Sequence, residues 1–87
     1  MGTFPDSVVD QAWSRSGGIC ECTRTTHSWH PGGRCSQKLR FYDRGRLNGA
    51  GWEAHHKVAE KDGGQDDLSN CEILCLVCHK ATKTFRT

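Results

Sequence analysis

Apolar residues at Val8, Val9, Ala12 and Trp13 fall on one face of a helical repeat that starts after Phe4-Pro5 and stops at Gly17-Gly18. Asp6 or Ser7 is the expected N-cap. Ile19-Cys20-Glu21-Cys22 then alternates, which in an extended segment turns both thiols to the same side. A polar excursion from Thr23 to Arg34 carries His27, His30 and the Pro31-Gly32-Gly33 turn, and Cys35 closes it. Gln37 to Tyr42 reads as a short strand, with Leu39 and Phe41 on one face. Glycines between Arg44 and Gly51 make a turn that returns Trp52 to Val58 as the next strand. Gly63-Gly64-Gln65-Asp66-Asp67 has the makeup of a wide loop. Cys71 to Leu76 is short and apolar enough for a strand, and Val77 to Thr84 for a short helix. Helices and strands in this order predict a small α+β fold without internal repeats or linkers.

Composition changes the picture by showing that this core needs help. Only 34% of the 87 residues are apolar, too few for burial alone to hold so short a chain. Six cysteines can supply the staple as disulfides or as metal ligands. No apolar run of signal-peptide length follows Met1 and no stretch approaches a membrane span, so the expectation is a reducing cytoplasm, metal rather than disulfides, and no membrane partner. The competing class, a disulfide-stapled extracellular protein, would need a signal peptide.

The net charge of +2 is unevenly spread. Arg34, Lys38, Arg40, Arg44 and Arg46 face only Asp43, and the tail adds Lys80, Lys83 and Arg86, whereas Glu60, Asp62, Asp66, Asp67 and Glu72 cluster around Lys61. The pattern suits a basic face for a polyanion, with Lys38, Arg40, Arg44, Arg46, Lys83 and Arg86 as phosphate contacts, and an acidic loop turned away.

Two chemistries are written near the C-terminal end. Cys75 and Cys78 have the spacing of a zinc knuckle and supply half of a tetrahedral site. Cys20, Cys22, Cys35, His27 and His30 compete for the other half. Cys20 and Cys35 are the expected partners, with Cys22 as the alternate, giving one structural zinc. Cys71 is expected to be an inert core thiol, and His27 and His30 to be surface imidazoles of the excursion. The second constellation is His55, His56, Asn70 and His79. Adjacent histidines on a strand point to opposite faces, so the pair reads as one metal ligand plus one free base. His55 and His79 are placed to share a catalytic cation and His56 to activate water, while Asn70 bonds across the loop to backbone near His56.

From Trp52 to Lys80 the chain resembles the HNH endonucleases, whose ββα-metal fold joins two strands by a wide loop and then a helix. The resemblance makes His56 the general base, Asn70 the central Asn, His79 the last His and a metal ligand, and His55 the metal-binding residue ahead of the base. Gly63-Gly64 and Leu74-Cys75-Leu76-Val77-Cys78-His79 match members that add a four-thiol zinc site. Lys57-Val58-Ala59 departs from the aliphatic residue and Pro of many members, and Lys83 stands where the colicin DNases carry another His.

The resemblance implies one HNH nuclease domain over residues 1–87, with a motif core at 52–84 and an N-terminal helix and zinc-ligand segment at 5–42. It further implies hydrolysis of DNA phosphodiesters with a divalent cation (Mg, Mn, Ni or Zn), leaving 5′-phosphate and 3′-hydroxyl ends, with weak sequence specificity. Small chains with this motif are similar to phage-encoded HNH proteins that work beside the packaging terminase. A terminase-like partner, a dimer and the cytoplasm of a bacterial or phage-infected cell are the corresponding expectations. The other reading is a non-catalytic, zinc-stabilised DNA-binding module, which would need the thiols and cations but neither the His pair nor Asn70.

Overall fold

The computed structural model describes residues 4–24, 27–30 and 32–82. Helix α1 (Asp6–Ser16) opens on Pro5, whose carbonyl accepts from the Val8 and Val9 amides at 3.0 and 3.1 Å. Pro5 is thus the N-cap instead of Asp6 or Ser7, and Asp6 stands in the first turn, where its charge suits the helix dipole. Gly17 ends the helix at φ 68°, a conformation that costs glycine little, and its amide closes on the Trp13 and Ser14 carbonyls. Arg34 reaches back to cover the carbonyls of Ser16, Ile19 and Cys20 at 2.8 to 2.9 Å. That use of Arg34 ties the far end of the polar excursion to the helix.

Strands β1 (Trp52–His56) and β2 (Cys71–Cys75) pair antiparallel in a register that runs from Trp52 opposite Cys75 to His56 opposite Cys71. The strand expected to reach Val58 stops at His56, because the Asn70 side chain takes both the amide and the carbonyl of Val58. Helix α2 (Leu76–Lys80) follows β2 without a loop, starting one residue ahead of Val77 and ending before the expected Thr84. The Ala81 amide there folds back on the Val77 and Cys78 carbonyls. The elements β1, β2 and α2 form the ββα frame, and α1 packs on β2.

The strand expected over Gln37 to Tyr42 does not form. Lys38 makes a single bridge with Ile19, and Phe41–Asp43 is a 3-10 turn. The Trp52 indole N–H draws in the carbonyls of Arg40 and Phe41 at 2.9 and 3.3 Å, so this backbone serves a side chain rather than a ladder. Leu39 is half-buried as its pattern suggests, but Phe41 is exposed.

Two packed clusters share the interior. Phe4, Val9, Ala12, Trp52, Cys71 and Ile73 form an apolar core under α1, with Val8 and Trp13 against its edge. Cys20, Cys22, Cys35, Leu74, Cys75 and Cys78 form the second, in which thiols stand where a larger domain would place aliphatic side chains. Glu21 sits between them. Its amide donates to the Ile73 carbonyl at 2.7 Å, and its carboxylate accepts from the Ile73 amide at 2.9 Å. Arg15 grips both carboxylate oxygens at 2.7 and 2.6 Å. Burial pushes this carboxyl up, but Arg15 and the Ile73 amide outweigh it and hold the group below its ordinary range. No helix among the described residues is long and apolar enough to cross a membrane.

Candidate active site and metal centres

Strand alternation separates the two adjacent histidines. His55 is buried on the face that carries Glu53 and meets α2, where its ring stands 5.6 Å from that of His79, edge to face. Burial, with His79, Arg24 and His56 nearby, pushes the His55 imidazole down to about 4. Burial also lowers His79, with Glu53 working against it. Both rings are therefore neutral near pH 7 and offer lone pairs, the state a metal ligand requires. The chemistry of this donor pair fits a divalent cation.

His56 takes the opposite face. It stacks on Phe4 at 3.9 Å between ring centroids, and its Nε2 lies 2.7 Å from Asp66 Oδ1. With Nε2 donating to that carboxylate, Nδ1 is left as the proton acceptor. The acidic loop thus reaches the histidines, through Asp66. The ligand atoms of His56, Glu60 and Asp66 also lie within 4.8 Å of one another, but the two carboxylates are exposed, a common arrangement on loops.

Asn70 closes the loop between the strands. Its Nδ2 donates to the carbonyls of Val58 and Gln65 at 3.0 and 2.9 Å, and its Oδ1 accepts from the Val58 amide at 2.8 Å. The Lys57 amide donates to the Asn70 carbonyl as well, and Asp67 caps the turn from below. Gly64 passes so close that a Cβ there would sit 1.8 Å from the Val58 carbonyl oxygen. Asn70→Asp should therefore be more harmful than its size suggests, because it puts a carboxylate oxygen against two carbonyls and removes both donors. A loss of roughly 2–3 kcal/mol is expected in urea unfolding. An unchanged midpoint would mean that the loop holds its shape without this side chain.

The thiols converge in two groups. The sulfurs of Cys20, Cys35, Cys75 and Cys78 lie within 4.8 Å of one another, all buried, so the four thiols that spacing grouped can hold a structural zinc. Hydrogen bonding among them favours a thiolate at Cys75, lowered to about 5 mainly by Cys20, and pushes Cys20 up in return. The expected alternate, Cys22, lies instead in a second group with His27, His30 and Cys78. His27 and His30 are both buried, which overturns their reading as surface imidazoles. Cys71 packs in the apolar core, and burial raises its thiol to about 11, in keeping with an inert role.

The family model for the HNH endonucleases matches residues 33–85, more than half of the chain. The chain belongs to the HNH endonuclease family. No curated protein matches it significantly. The HNH match takes in both strands, Asn70, all three histidines of the constellation and three of the four grouped thiols, and leaves out α1, Cys20 and Cys22.

Around this HNH frame the basic residues divide. Lys38, Arg40 and Arg46 are exposed. Arg44 lies over the Trp52 ring at 5.5 Å and pairs with Glu53 at 3.4 Å, and Lys83 and Arg86 lie outside the described residues. Cations that the sequence did not single out line an open cleft: Arg15, Arg24 and Lys57, with Glu21, Thr23 and Glu72. Glu72, the register partner of His55, is buried and bonded to Arg24 at 2.8 Å, apart from the acidic loop with which its charge groups it. Burial works against the Arg24 guanidinium, but Glu72 and the Cys22 sulfur outweigh it and raise it further. No signal in a single sequence pairs residues 48 positions apart.

Proposed function

We propose that this HNH chain is a metal-dependent DNA endonuclease that hydrolyses phosphodiester bonds to 5′-phosphate and 3′-hydroxyl ends. The observation that carries the reading is the division of labour at the end of β1, with a neutral pair, the buried His55 and the half-buried His79, on one face and a carboxylate-held imidazole, His56, on the other. His55 and His79 would hold the cation, whose charge, when bound, offsets the negative charge that builds on phosphate oxygens in the transition state. Mg, Mn, Ni and Zn all suit two imidazoles with the remaining positions left to oxygen.

His56 is the general base. Asp66 fixes its tautomer and orientation, and Nδ1 takes the proton from the attacking water. Asn70 keeps the loop, and with it Asp66, in register against the end of β1. The scissile phosphate lies across that end, within reach of the cation and of His56. Lys57 in the cleft, with Lys38, Arg40, Arg44, Arg46, Lys83 and Arg86, contacts neighbouring phosphates of the backbone. Residues 1–87 work as one HNH unit around the core at 52–84. Phosphate contacts carry no sequence information, so cleavage is weakly specific, and target choice falls to a partner of the packaging-terminase kind.

Supercoiled plasmid tests this directly. Nicked circles should accumulate with Mg or Mn and not in chelator, and DNA ligase alone should reseal them, as it can only when the ends are 5′-phosphate and 3′-hydroxyl. Failure to nick with any of the four cations would overturn the endonuclease reading, and nicks that ligase leaves open would overturn the products.

A further inference from the structure

One zinc on Cys20, Cys35, Cys75 and Cys78 leaves Cys22, His27 and His30 unexplained, although all three are buried. Their polar atoms face one another. Cys22 Sγ lies 3.5 Å from His27 Nδ1, His27 Nδ1 lies 3.0 Å from His30 Nε2, and His30 Nε2 lies 3.4 Å from Cys78 Sγ. Zinc–sulfur and zinc–nitrogen bonds at tetrahedral angles give ligand separations of about 3.3–3.6 Å for these atom types, which the two sulfur–nitrogen distances match, while the two ring nitrogens stand closer, at 3.0 Å. A hydrogen-bonded chain needs only successive neighbours to be close. Here all four ligand atoms lie within 4.8 Å of one another, which is the convergence a common ion produces.

The surroundings prepare these atoms for metal. His30 Nδ1 is 2.8 Å from the Gly33 carbonyl, so it carries the ring proton and leaves a lone pair on Nε2. Arg24 donates to Cys22 Sγ at 3.3 Å, and the Trp29 indole N–H donates to Cys78 Sγ at 3.4 Å, so each sulfur already accepts a hydrogen bond from outside the group. In the neighbouring group the Cys75 amide donates to Cys20 Sγ at 3.2 Å. Cys78 belongs to both groups, and a thiolate sulfur has lone pairs enough for two ions.

We propose that the chain holds two zinc ions in one cluster, the first on Cys20, Cys35, Cys75 and Cys78, the second on Cys22, His27, His30 and Cys78, with the Cys78 thiolate bridging them. Five thiolates against two dications leave one net negative charge, which the Arg24 guanidinium meets at Cys22. Each thiol releases its proton as the ions bind. The second ion accounts for the burial of a polar excursion that no apolar pattern holds: it fastens the stretch around His27 and His30 to the first turn of α2. The proposal is independent of cleavage.

Native mass spectrometry and elemental analysis of the whole chain, reconstituted with zinc, should find two zinc atoms per chain. Cys22→Ser and His30→Ala should each hold one, still folded on the apolar core and the four-thiol site. A wild type that saturates at one zinc would overturn the proposal, as would variants that keep two. Should the variants fail to fold, cobalt substitution of the wild type decides the matter. A bridging thiolate couples the two cobalt spins, so the paramagnetic resonance signal should grow with the first equivalent and fall with the second. A signal that simply doubles would rule out the bridge.

Discussion

His56→Ala is expected to leave the fold, the thiolate zinc and the affinity for DNA in place and still slow plasmid nicking by about a hundredfold or more, the usual cost of a missing general base. The structure sharpens the contrast with its neighbours. His55 and His79 face each other away from His56, so His55→Ala and His79→Ala should weaken the catalytic cation instead, and raising Mn or Mg should restore part of their activity. His56→Ala has nothing to regain from added metal. Asp66→Ala should fall between, because it removes the partner at 2.7 Å and lets the imidazole turn, while the nitrogen that accepts the proton remains. Nicking time courses over a range of metal concentrations, with calorimetry for cation affinity, separate these behaviours. Metal rescue of His56→Ala, or wild-type speed in that variant, would reverse the roles assigned to the pair.

Replacing a thiolate ligand should be more drastic still, because it removes the fold and not one step of a reaction. Cys75→Ser is expected to lose zinc and the cooperative thermal transition together. Structural zinc contributes about 10–16 kcal/mol in small zinc peptides, as much as or more than the whole stability of a typical domain. Cys78→Ser should be at least as severe, since its sulfur belongs to both ligand groups. Circular dichroism melts paired with elemental analysis read both effects. A Cys75→Ser protein that melts cooperatively without zinc would show that the apolar core under α1 suffices by itself.

What could be read in advance follows the range of each interaction along the chain. The Cys-x-x-Cys spacing is local, and the burial of Cys20 and Cys35 beside it follows from how few other groups such a chain has to bury. The opposite directions of His55 and His56 come from the two-residue period of a strand, and Asn70 is found where a loop returns. The burial of His27 and His30 is not legible in advance, because nothing periodic marks a loop residue as buried and their partner Cys78 is about 50 positions away. The same distance hides Arg24 and Glu72, and the acidic run that charge counting groups together is divided between a buried ion pair at Glu72 and the loop facing His56. The failed strand over Gln37 to Tyr42 has a different cause. Its alternation was real, but the Trp52 indole competed for the carbonyls on which a ladder would depend.

Glu21 also decides how other chains can approach. By taking the amide and the carbonyl of Ile73, it occupies the outer side of β2 at the middle of the strand, and the Gly45 amide does the same for the Trp52 carbonyl on β1. A sheet with its margins spoken for at these points offers no template for strand addition there, either to a second copy or to an extended peptide. Assembly of this chain at these points would therefore be built on side-chain surfaces, such as the exposed ring of Trp29 or the outer face of α2 at Val77, and not by lengthening the sheet.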